Sequence, residues 1–94
     1  MIKHEKIAAR VRTLIPNTTQ GHKAEYRLSK PIPYGTGIEK VWFVLLDTPP
    51  QFYRKLNVWA KDGETEFLLA EMLWPTTHAE ALDALGYELI EEEK

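Results

Sequence analysis

Residues 41–46, Val-Trp-Phe-Val-Leu-Leu, constrain the fold more than any other stretch. They form an uncharged apolar run, β-branched or aromatic at four positions, closed by Asp47-Thr48-Pro49-Pro50. A short run bounded by turn residues suits either a strand buried on both faces or a piece of buried helix. Its length and its β-branched and aromatic content favour the strand, and the double proline stops it from continuing. It is expected to be a central strand around which the other elements are arranged.

A chain of 94 residues allows one small domain, residues 1–94, with one modest core. A hydrophobic fraction of 44% beside 28% charged residues places it among soluble globular domains. The absence of cysteine excludes a disulfide framework, a thiolate nucleophile and a zinc ribbon, so stability must come from packing. No apolar run approaches the ~20 residues needed to cross a bilayer. The start, Met1 to Lys6, leads into a charged amphipathic segment rather than the apolar core of a signal peptide. The expected location is cytoplasmic.

The net charge of −2 hides an asymmetry. Residues 1–55 carry ten Lys/Arg against four Asp/Glu, a net of +6, and residues 56–94 carry two against ten, a net of −8. Such an imbalance signals a binding surface, or two halves that neutralise each other across paired strands.

Taken in order, residues 3–15 read as a helix. Ile7, Val11, Leu14 and Ile15 follow the i, i+4, i+7, i+8 spacing of one apolar face, with Pro16-Asn17 as its end. Residues 17–21 read as loop. From His22 to Ser29 the chain alternates as a half-buried strand, and Lys30 to Gly37, with two prolines, reads as an edge or a loop. Beyond the central strand, residues 53–61 and 64–72 flank Asp62-Gly63, the preferred pair for a two-residue type I′ turn. That turn pairs Lys61 with Glu64, Ala60 with Thr65, Trp59 with Glu66, Val58 with Phe67, Leu56 with Leu69 and Arg54 with Glu71. Thr77-His78-Ala79-Glu80 is a capping box opening a second helix; Gly86 suits its left-handed end, and Tyr87 to Ile90 form a last short strand. The fold expected is α+β: a small antiparallel sheet of three to five strands, a central meander with the Asp-Gly hairpin, packed by an N-terminal helix and a short C-terminal helix.

Little here supports catalysis. Ser29, the one serine, lies in a strand and not on a glycine-flanked turn. His4, His22 and His78 fall in three separate segments without metal-ligand spacing, and His78 reads as a polar first-turn residue. Asp47 reads as a turn acceptor, and neither Glu25 nor Glu39 is paired with it by the sequence. The chain is expected to be no enzyme, with no catalytic residues, no metal and no cofactor.

A surface is the stronger expectation. The aromatic side chains exceed what a core of this size can hold, and exposed Trp and Tyr anchor protein interfaces. In the hairpin register Trp59, Asn57, Lys55, Leu68 and Ala70 share an open face, which Trp42 and Val44 join from the central strand. The anchors expected are Trp42, Trp59, Phe52, Tyr53 and Tyr34, with Arg54 and Lys55 at the rim. The alternative is a nucleic-acid surface, in which Arg27, Lys30, Lys40, Arg54 and Lys55 neutralise phosphates beside stacking aromatics. A pI of about 5.9 and the absence of any RNP-like or KH-like string place it second, with a small-molecule enzyme a distant third.

The string His78-Ala79-Glu80-Ala81-Leu82-Asp83-Ala84-Leu85-Gly86-Tyr87-Glu88, placed after a strand-rich middle, resembles the C-terminal part of short phage-encoded proteins of unknown function. There a His-x-x-Ala-Leu-x-x-x-Gly-Tyr string follows a hairpin. The resemblance covers the last third of the chain; it implies a phage or prophage origin and carries over no functional residue. The function expected is a non-enzymatic protein-binding module, a phage accessory or regulatory protein that binds a protein partner or a second copy of itself, with no membrane partner.

Overall fold

The structure, a computed structural model, describes residues 5–18, 21–34, 39–49, 55–73 and 77–90. The elements are β1 (Lys6–Thr18), β2 (Gly21–Tyr34), β3 (Glu39–Thr48), β4 (Lys55–Asp62), β5 (Thr65–Leu73), α1 (His78–Leu85) and β6 (Tyr87–Ile90). They build one six-stranded mixed sheet in the order β5-β4-β3-β2-β1-β6, antiparallel throughout except where β6 runs parallel to β1. The fold is mostly strand, with one short helix near its C-terminal end among the described residues, which overturns the expected α+β fold with an antiparallel sheet of three to five strands.

The N-terminal helix expected over residues 3–15 is therefore wrong: this segment is β1. Ile7, Val11, Thr13, Ile15 and Thr18 are β-branched, and a 14-residue partner in β2 lets the segment satisfy its backbone through a ladder. Tertiary pairing overrides a periodicity that fits both templates. The supposed apolar helix face does not form the core. Val11, Leu14 and Ile15 are exposed, whereas Ala8 and Ala9, where β1 pairs with both β2 and β6, are buried. Of the register shifts beyond Arg10, the one between Ile15 and Thr18 spans Pro16, as proline in a sheet belongs at edges and bulges. The one serine serves the sheet itself, because Ser29 Oγ accepts from the Ile7 amide at 2.8 Å.

The central strand stands as expected. β3 lies inside the sheet between β2 and β4, with Val41, Val44, Leu45 and Leu46 buried. β2 is longer than the alternation implied, because Lys30 to Tyr34 extend it along β3. β1 pairs with β2 only as far as Leu28 among the described residues, so both prolines sit where β2 has an unpaired side.

The hairpin of β4 and β5 forms, but in another register. Asp62 faces Thr65, Lys61 faces Glu66, Ala60 faces Phe67 and Trp59 faces Leu68; after a bulge, Val58 faces Ala70 and Leu56 faces Met72. The turn residues are Gly63-Glu64 instead of Asp62-Gly63. Gly63, at φ 65°, takes the first central position, where primed turns need a positive φ, and Asp62 remains in the strand. The two-residue displacement conserves faces near the turn and places Lys61 opposite Glu66; Lys55 and Glu71 approach to 3.7 Å.

The core lies between one sheet face and α1. Ala24, Tyr26 and Leu28 of β2, Val44 and Leu46 of β3, and Leu56, Val58 and Ala60 of β4 meet Ala81 and Leu82 of the helix, with Tyr87 of β6 beside them. The topology explains why the helix lies there. β5 and β6 occupy opposite edges, about 24 Å apart at ~4.8 Å per strand, so the chain between them must cross the sheet. Thr77 caps the helix as expected, its Oγ1 accepting from the Glu80 amide at 3.1 Å. Gly86 closes it in the left-handed region (φ 97°), its amide donating to Asp83 O at 3.0 Å. Substituting Gly86→Ala is expected to lower stability by about 1 kcal/mol, because an L side chain resists that φ. The added Cβ meets only the flexible end of Lys6 at 3.4 Å. A loss above about 3 kcal/mol in urea unfolding would contradict this account.

Candidate functional site

Two features of the described residues can carry function: the sheet face without a helix, and a cavity at the start of α1.

Residues opposite each other on neighbouring strands point to the same side of a sheet. Tyr26, Val44, Ala60 and Phe67 lie in register, as do Ala24, Leu46, Val58 and Ala70, and these rows contain the helix-covered core. The intervening rows occupy the other face. One is Arg27, Phe43, Lys61, Glu66; the next is Glu25, Leu45, Trp59, Leu68; the third is Lys23, Asp47, Asn57, Glu71. Leu45 and Glu25 are buried, Phe43 and Trp59 are half-buried, and Leu68 is 44% exposed. Glu25 holds an ion pair with Arg12 of β1 at 2.8 Å. Among the described residues no further element covers this face.

The expected anchors are thereby separated. Trp59 lies on the helix-free face, paired with Leu68 and not with Glu66. Trp42 stands where the β2–β3 register shifts and is 48% exposed. Tyr34 packs at a tilt on Phe67, centroids 4.8 Å apart, at the margin of the core. Lys55 is half-buried beside Glu71. Phe52, Tyr53 and Arg54 lie outside the described residues. Ala70 and Val44, expected on the open face, belong to the covered one; the hairpin bulge moves Ala70, and the alternation of β3 places Val44 with Leu46. Asn57 Oδ1 is buried on the helix-free face and has no hydrogen-bond partner among the described residues.

The cavity, about 390 Å³, lies between β1, β2, the end of β3 and the first turn of α1. Its wall includes an imidazole pair that no spacing in the sequence brings together: His22 and His78 stack with centroids 3.9 Å apart and planes 4° from parallel. His78 is buried, its Nδ1 2.8 Å from the Tyr26 hydroxyl and its Nε2 3.1 Å from Thr48 Oγ1. Burial, then the neighbouring His22, and less so Arg10 hold its pKa down at about 4, against a backbone hydrogen bond at His22 that raises it. The ring is therefore neutral at pH 7, with one nitrogen donating and the other accepting. Arg10, Thr13 and Pro16 of β1, Thr77, Ala79 of α1 and Leu89 of β6 complete the wall. His22 and Tyr26 share a face because they are four residues apart in a strand, and Thr48 pairs with His22. The meeting of that row with the helix start is tertiary and has no local sequence signal. His4 lies outside the described residues.

No group of three or more His, Cys, Asp or Glu side chains among the described residues could hold a metal ion. No helix among them is long and apolar enough to cross a membrane. Comparison with protein-family models, with curated proteins and with solved structures finds no match for this chain.

Proposed function

We propose that this chain is a non-enzymatic protein-binding module whose helix-free sheet face pairs with a second copy of the chain. The observation that carries the reading is the self-complementarity of that face. A two-fold axis parallel to the strands, between β3 and β4, turns one sheet over the other and exchanges left for right while keeping the rows in step. Phe43 then falls over Lys61 of the second copy, and Trp59 over the row of Leu45, whose own side chain is already buried within its chain. Glu66 falls over its Arg27, Glu71 over its Lys23, and Asp47 over its Asn57. Leu68 falls over Glu25, whose charge Arg12 already meets. Residue i meets residue j and j meets i, as an isologous interface requires. Face-to-face sheets pack ~10 Å apart and within about 30° of parallel, so the contacts pair by row rather than atom by atom.

The charge asymmetry of the chain supports the same reading. On this face β2 brings Lys23 and Arg27 and β5 brings Glu66 and Glu71, and the sheet order keeps these two strands apart within one chain. A face with Asp47, Glu66 and Glu71 beside Trp59 is ill suited to track phosphates, which ranks a nucleic-acid surface lower. Both ring nitrogens of His78 are engaged within the fold, which supports binding over catalysis. The resemblance of the C-terminal third to short phage-encoded proteins suits an accessory or regulatory protein of this kind, and a chain without cysteine suits a cytoplasmic setting.

Sedimentation equilibrium is expected to give a dimer at micromolar concentration. Arg27→Glu should weaken it at least tenfold, and the double variant Arg27→Glu with Glu66→Arg should restore it, since the two charges are exchanged across the axis. A wild-type chain that stays monomeric at about 1 mM, where even some 4 kcal/mol of association would show, ends the homodimer reading. So does a double variant no better than the single one.

A further inference from the structure

We propose that the cavity beside the His22–His78 pair binds a small oxyanion-bearing molecule, a phosphate or carboxylate, with Arg10 as its cationic partner. The cavity stands apart from the helix-free face, on the covered side of the sheet. Its volume, about 390 Å³, is in the range of small-molecule sites, ~300–1,000 Å³. The chemistry of its wall is one-sided. Arg10, Thr13 and His22 line it beside His78, Thr48 and Thr77, whose polar atoms also bond within the fold, and beside apolar Pro16 and Leu89; among the described residues no Asp or Glu lines it.

Each group has its place in the geometry. Tyr26 and Thr48 fix the ring of His78, so it serves as a rigid neutral wall on which His22 stacks. His22 and Arg10 are half-buried and Thr77 is exposed, so polar groups meet the opening while His78 closes the base. The first turn of α1 faces the same space through Thr77, His78 and Ala79. The Glu80 and Ala81 amides are taken by Thr77, and the amides before them are first-turn donors that no helix can satisfy from within.

The test is a titration of the full chain with inorganic phosphate and, separately, with acetate, followed through the imidazole NMR signals of His22 and His78. Saturable shifts are expected for at least one, with a Kd of about 1 mM or tighter. Saturation by phosphate alone assigns the site to phosphate-bearing ligands, and saturation by acetate assigns it to carboxylates as well. Arg10→Gln should weaken binding at least tenfold, the order expected for losing a charge-assisted hydrogen bond. Thr13→Val, a milder change in the same wall, should weaken it less, and Glu64→Gln in the exposed β4–β5 turn should leave it unchanged. The absence of saturable shifts up to about 20 mM of either anion, or equal binding by folded Arg10→Gln, overturns the proposal.

Discussion

Replacing Leu82 with alanine is expected to remove roughly 3 kcal/mol of stability, a large part of the 5–15 kcal/mol that a domain typically has. Leu82 is fully buried and belongs to the only helix among the described residues. An eight-residue helix is too short to persist in water on its own propensity, so α1 exists through the apolar side chains it lowers onto the sheet. Ala81 beside it offers one methyl, which leaves Leu82 as the main bulk at the contact with the β2, β3 and β4 core. Truncation opens a cavity that the rigid sheet cannot fill by collapsing. The measurement is a urea midpoint at unchanged slope and fixed protein concentration, since association would add to the apparent stability. A loss below about 1 kcal/mol would mean that α1 contributes little to the core.

The second large effect concerns acid. His78 keeps its neutral form in the fold, with a pKa of about 4 against 6.5 in the unfolded chain, chiefly through burial and then through His22 and Arg10. Between these values the unfolded chain binds a proton that the folded chain refuses, so stability rises with pH across the window. The contribution is whole above pH 6.5, falls as the pH drops, and is gone near pH 4. At 1.36 kcal/mol per unit it amounts to about 3 kcal/mol. Protonation would also break the arrangement in which one ring nitrogen accepts from Tyr26 or Thr48. Unfolding free energies of the wild type and His78→Gln, compared from pH 7 to pH 5, provide the check. The wild type should lose about 2 kcal/mol more than the variant over that range; parallel curves would show that His78 does not govern the acid response.

How much of this was legible beforehand differs by element. The 41–46 run announced an interior strand, because β-branched and aromatic residues followed by two prolines leave few alternatives. The Thr77 cap and the Gly86 stop marked α1 to within a residue, because capping is local chemistry between neighbouring amides and one side chain. The hairpin was visible but its register was not. Asp-Gly and Gly-Glu are both possible turns, and cross-strand pairs such as Trp59 with Leu68 help to select between them. β1 was misread because Ile7, Val11, Leu14 and Ile15 satisfy a helical period while the segment is equally β-branched. Nothing local reveals that β2 will lie alongside it.

The candidate sites follow the same division. The surplus of aromatic residues and the uneven charge stand in the composition, and they pointed to a surface before any strand was placed. Which residues share that surface depends on register, where one bulge sends Ala70 to the core and leaves Trp59 outside. The His22–His78 pair, far apart in the chain, has no trace in spacing. It exists because the segment after β5 crosses the sheet to reach the far edge and begins its helix above the β2–β3 row. By itself the sequence determined a central strand, a capped helix, a glycine turn and an unbalanced charge, all set by interactions among near neighbours. The tertiary structure alone decided that β1 is a strand and that the two histidines meet, because both depend on pairing across long stretches of chain, where the gain from burial and ladder hydrogen bonds exceeds local preference.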